Sequence, residues 1–90
     1  MQSPTDLTDT IIDDIVNDPV LPQEVENSYT ANLKKVNAFI ADGKINAAVN
    51  QLEAFIQKCG QDVDHGIITQ EEGDLYTMMA QDVLSLLLGQ

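Results

Sequence analysis

The chain has a single cysteine, no tryptophan, two tyrosines, two phenylalanines and only four basic side chains. Each shortage removes a class of function. With Cys59 alone, no internal disulfide can close and no cysteine-based metal cluster can be built. Tyr29, Phe39, Phe55 and Tyr76 are too few and too scattered for a platform on which bases stack. The bases are Lys34, Lys35, Lys44 and Lys58, set against 15 acids for a formal charge of −11. Binding to nucleic acid needs clustered cations that release counterions, so this surface would repel phosphates and the anionic face of a membrane alike. No apolar run approaches the ~20 residues that span a bilayer. Residues 1–20 hold neither the basic stretch nor the continuous apolar segment of a signal peptide.

What is present suffices for one small domain. Ninety residues, 43% of them hydrophobic, support a single core. The charge favours a soluble monomer, and its self-repulsion predicts a melting temperature that rises on adding salt or on mild acidification.

Apolar residues recur at helical spacing throughout, and nothing alternates with period two over a strand-length run. Ser3-Pro4-Thr5-Asp6 is a helix start, with Ser3 as cap, Pro4 at the first helical position and Asp6 placed to close a capping box. Leu7, Ile11, Ile12, Ile15 and Val16 then share a face until Asp18-Pro19 ends the run. Pro22 opens a second helix with the stripe Val25, Tyr29, Leu33, Val36 and Ile40, widened by Phe39 and stopped by Gly43. The two-residue Asp42-Gly43 connection folds the next helix back antiparallel. That third helix carries Ile45, Ala48, Val49, Leu52, Phe55, Ile56 and Cys59, with Asn46 as a plausible cap and either Gly60 or Gly66 as its end. Thr69-Gln70-Glu71-Glu72 is a capping box ahead of Leu75, Met79, Val83, Leu86 and Leu87. Gly73, early in this helix, costs up to ~1 kcal/mol against alanine. The expectation is one all-α domain over 1–90, a small antiparallel four-helix bundle with helices at about 4–17, 22–42, 45–60 and 70–88. The short first helix packs on a three-helix core.

Candidate sites fail one by one. The string from Asp62 to Glu72 evokes a calcium loop, but the register is wrong. Placing Gly66 at the sixth position puts Gln61, Val63 and His65 where oxygen ligands belong; starting at Asp62 puts Gly73 where the closing Glu should stand. A polar turn leading into a capped helix explains the same residues. His65 is the only histidine, which excludes a zinc set. A Cys59–His65 dyad is opposed by the place of Cys59 on an apolar stripe, where a thiol behaves as a small hydrophobe. Asp9 and Asp13 lie one turn apart, as do Asp14 and Asp18, but like charges at that spacing repel and form a solvated face. Ser28 has no nucleophile elbow around it, and Asn27-Ser28-Tyr29 lies inside a helix, unlike the Asp-Ser-Leu turn of acyl-carrier proteins. The expectation is no enzyme, no cofactor and no metal.

The central strings carry a resemblance. Leu21-Pro22, Glu26-Asn27-Ser28, Leu33, Asp42-Gly43-Lys44 and the run Ala47-Ala48-Val49-Asn50-Gln51-Leu52-Glu53-Ala54-Phe55-Ile56 are similar to the FIMAH-type helical module. Ile68-Thr69 before an acidic helix with Leu75, Ala80, Val83 and Leu84 extends the likeness over residues 20–88. Departures are Cys59 at a usually apolar position, a slightly long Asp62–His65 connection, and Gly73 near an expected alanine. The resemblance implies a non-catalytic appendage of secreted bacterial or archaeal hydrolases and surface proteins. It implies extracellular or cell-surface placement, a covalently attached parent domain, and a protein or cell-surface component as partner. Asp9, Asp13 and Asp14 form the first candidate contact face. The alternative is a free-standing cytoplasmic protein whose acidic face captures a basic protein.

Overall fold

The computed structural model describes residues 3–89 and consists of four helices: α1 (Pro4–Val16), α2 (Gln23–Ala41), α3 (Ile45–Asp64) and α4 (Gln70–Leu88). No strand occurs among the described residues.

The helix ends follow from local chemistry. Ser3 Oγ accepts the Asp6 N–H at 3.1 Å, one half of the expected capping box, with Pro4 in the first turn. At α4 both halves form: Thr69 Oγ1 accepts the Glu72 N–H at 3.1 Å, and Glu72 Oε1 accepts the Thr69 N–H at 3.3 Å. Gly43 (φ 74°) and Gly66 (φ 72°) take the left-handed conformation that closes a helix C-terminus. Beyond each glycine the chain bonds backwards, Lys44 N–H to Phe39 O and Ile67 N–H to Asp62 O, both at 2.8 Å. These bonds satisfy carbonyls that the helix leaves unpaired.

Expectations for α3 and α4 are corrected here. The third helix does not stop at Gly60. It runs on to Asp64, because nothing near Gly60 breaks the hydrogen-bond ladder and the left-handed stop lies at Gly66. Asn46 is not its cap; the backward bond of Lys44 feeds the chain straight into Ile45, and Asn46 lies exposed inside the first turn. The inner stripe of α4 is turned from the expected one. Gly73, Tyr76, Ala80, Val83 and Leu87 are buried, whereas Leu75 is 48% exposed.

Each helix packs on its two neighbours and not on the diagonal one, and α1 closes the ring between α2 and α4. Ile11 and Ile15 of α1, Leu33 and Val36 of α2, Leu52 and Phe55 of α3, and Val83 of α4 are fully buried at its centre. The Phe55 ring meets Tyr29 edge-on, with centroids 5.1 Å apart. Val16, expected on the inner face of α1, ends the helix 53% exposed, and Thr8 is buried in its stead. Thr8 satisfies its hydroxyl on Pro4 O at 2.7 Å, so its burial leaves no unpaired donor. Gly73 sets the approach of α4 to α3: a Cβ there would clash with Val63 Cγ2. The bundle measures 35 × 21 × 21 Å.

Candidate functional site

The expected contact acids lie on the outer arc of α1. Asp9, Asp13 and Asp14 are all exposed, but they do not point the same way. Asp9 and Asp14 are five positions apart, which turns them about 140° around the helix. Asp9 leans towards α2, where its Oδ1 accepts the Asn37 Nδ2–H at 2.8 Å. Asp14 lies on the α4 side, where its charge helps to push the Tyr76 hydroxyl upward in pKa. Asp13 stands between them.

Inward-facing polar groups form two bridges that periodicity did not reveal. In the first, Tyr29 of α2 donates its hydroxyl to Asp62 Oδ2 of α3 at 2.5 Å. Asp62 is only 3% exposed, and Lys58 Nζ stands 3.8 Å from its other oxygen. Burial, then the bond to Asp62, push the Tyr29 pKa up from its ordinary value, so the phenol is protonated and donates at neutral pH. In the second bridge, Tyr76 of α4 donates to Asp18 Oδ2 at 2.7 Å across 58 residues of sequence. Asp18 lies between α1 and α2, and its Oδ1 takes the Val20 N–H at 2.9 Å. Glu72 of α4 also reaches Asp18.

Asp62 and Asp64 thus belong to a helix and not to an ion-binding loop. Asp62 points into the core, and among the described residues no three His, Cys, Asp or Glu side chains stand together as a metal set. His65 is the exposed C-cap of α3. Cys59 is fully buried, and burial first of all pushes its thiol up to about 11. A thiol so placed is protonated at neutral pH and is a poor nucleophile.

Two hollows open beside these groups. A cavity of about 180 Å³ lies between α3 and α4, with Cys59, Val63, Gly73 and Thr77 in its lining and Asp64 and Asp74 beside them. A groove of about 390 Å³ lies where α2 begins and α3 ends. Pro22, Val25 and Ile67 give the groove an apolar lining, while Glu24, Lys58 and Asp62 give it both signs of charge. The start of α2 has no side-chain cap and attracts anions, as does Lys58; Glu24 and Asp62 repel them. The groove therefore selects no charge.

Asp62 was within reach of the sequence. The stripe Ala48, Leu52, Phe55, Cys59 steps next onto position 62, and a buried tyrosine needs a partner for its hydroxyl. Asp18 and Glu72 carried no such signal, because their partners are distant in sequence. No helix among the described residues is long and apolar enough to cross a membrane. Comparison with known proteins finds no matching family model, no matching curated protein and no matching solved structure.

Proposed function

We propose that the chain is a non-catalytic accessory module of an extracellular or cell-surface protein. It is joined to a larger parent domain and works by contact with a protein or cell-surface component, or by spacing the parent from it. One observation carries the reading: Tyr29, Asp62, Tyr76 and Asp18 are engaged in bonds between segments, while Asp13 and Asp14, and Asp9 beside its one bond to Asn37, stay exposed on the outer arc of α1. Chemistry facing inward holds the bundle, and chemistry facing outward is left for contact. The FIMAH-like strings over residues 20–88 support the same reading.

The test compares retention on cell-wall and polysaccharide fractions between the parent sequence and an Asp9, Asp13, Asp14→Asn triple variant. Retention lost in the variant supports the contact face. Equal retention removes it, and deleting the module from its parent then tests spacing alone. Hydrolysis by the rigorously purified module would defeat the assignment. The charge of −11 favours a second reading, a free-standing cytoplasmic protein that captures a basic partner. An upstream signal peptide and hydrolase domain in the same reading frame would decide for the first.

A further inference from the structure

We propose that Glu72 and Asp18 share one proton and, together with Tyr76, form an acid-engaged latch tying the α1–α2 connection to the first turns of α4. The geometry leaves one place for that proton. Both Asp18 oxygens already accept hydrogen bonds, from the Val20 N–H and the Tyr76 hydroxyl. Glu72 Oε1 accepts from the Thr69 N–H at 3.3 Å and lies 3.1 Å from the Thr69 hydroxyl. Glu72 Oε2 is buried and has no donor among the described residues. It belongs to a carboxyl group within hydrogen-bonding reach of Asp18.

Two carboxylates in contact do not both ionise cheaply, and a buried acceptor without a donor is costly. A proton on Glu72 Oε2, donated to Asp18, removes both penalties at once. The groups acting most strongly on the pair offer no alternative. They are Tyr76 from α4 and, through Tyr76, Asp14 from α1, and no lysine stands among them. Two acids that share one proton titrate as a pair, in two separated steps. Burial, then the bond with Asp18, push Glu72 up. Burial also pulls Asp18 up, but bonds from Tyr76, Glu72 and the Val20 and Leu21 backbone together outweigh it and hold Asp18 down.

The sign of the pH dependence follows. Glu72, raised on folding, stabilises the fold below its unfolded pKa and loses that contribution as pH rises through its folded one. Asp18, lowered on folding, stabilises the fold above its unfolded pKa and loses that contribution as pH falls through its folded one. The latch is therefore tightest in the mildly acidic window between the two folded values. It loosens towards alkaline pH, when a second charge appears beside Asp18.

The test is an NMR titration of the side-chain carboxyl carbons in the full chain, joined to melting curves across pH. The expected result is a Glu72 midpoint above the ordinary 4.5 and an Asp18 midpoint below 3.8. Glu72→Gln keeps the capping oxygen and replaces the proton with a permanent N–H donor. It should show a smaller melting-temperature gain between neutral and mildly acidic pH than the parent, keeping only the part that comes from relief of the general negative charge. Asp82→Asn, which removes an exposed acid elsewhere on α4, should keep that gain. A Glu72 midpoint at or below 4.5, or a Glu72→Gln variant with the parent's full pH dependence, would overturn the latch. The titration needs no variant, so it decides even if Glu72→Gln does not fold.

Discussion

Tyr29 and Tyr76 meet their aspartates alike, hydroxyl to Oδ2, at 2.5 and 2.7 Å, but in unlike surroundings. Asp62 is enclosed by the core of the α2–α3 hairpin and has Lys58 beside its second oxygen. Asp18 lies in a connection, partly exposed, and has the carboxyl of Glu72 beside it. A buried carboxylate is tolerated where donors and a cation surround it. Where the neighbour is another acid, a proton has to take the cation's place. The same pair of residue types thus gives a fixed staple at one site and a pH-sensitive latch at the other.

The largest expected effect is at the fixed staple. Asp62→Ala leaves the buried Tyr29 hydroxyl without an acceptor and should destabilise the domain by about 3 kcal/mol, since hydrogen bonds to charged groups contribute roughly 1.5–3 and truncation adds a cavity. In a domain of this size that lowers the melting temperature by more than about 10 °C. A loss below about 1 kcal/mol, within the ordinary range of a neutral hydrogen bond, would erase the contrast between the two bridges.

A smaller effect is expected beside the latch. Gly73→Ala places a Cβ against Val63 Cγ2, and Val63, β-branched and in a helix, has little freedom to turn away. Overpacking costs about 1–3 kcal/mol and alanine's helix propensity returns up to ~1, so a net loss of about 1 kcal/mol is expected. Adding Val63→Ala should relieve the clash. Stabilisation by Gly73→Ala alone would show that α4 can shift away from α3 without cost. The smallest effect belongs to the exposed acids. The Asp9, Asp13, Asp14→Asn variant should stay within about 0.5 kcal/mol of the parent by chemical denaturation. A larger loss would place those acids in the structural framework instead of on a free face.

What could be read ahead of the structure was local. Thr69 with Glu72, Ser3 with Pro4, and Gly43 define helix ends through bonds within a few residues, and each stands where its spacing puts it. The stripe of α2 was equally legible because Val25, Tyr29, Leu33 and Val36 face two neighbours at once. The register of α4 was not. Leu75 is the more hydrophobic choice, but Gly73 allows close approach to Val63, and the Tyr76 hydroxyl finds its acceptor 58 residues away. Asp62 resembled a loop ligand because a charge on an apolar stripe reads as the stripe's end. The Tyr29 hydroxyl on another helix and Lys58 one turn back together make its burial tolerable. The exposure of Asp9, Asp13 and Asp14 follows from helical period alone, whereas the splay of Asp9 towards Asn37 depends on how α1 docks.

The claim that inward polar groups hold the helices together is tested most directly by a double-mutant cycle on Tyr29→Phe and Asp62→Ala, read by denaturant unfolding. The expected coupling is about 1.5–3 kcal/mol, the range of a hydrogen bond to a charged acceptor. A coupling within about 0.5 kcal/mol of zero, the limit of simple additivity, would mean that the bridge is a consequence of packing and not a cause of it.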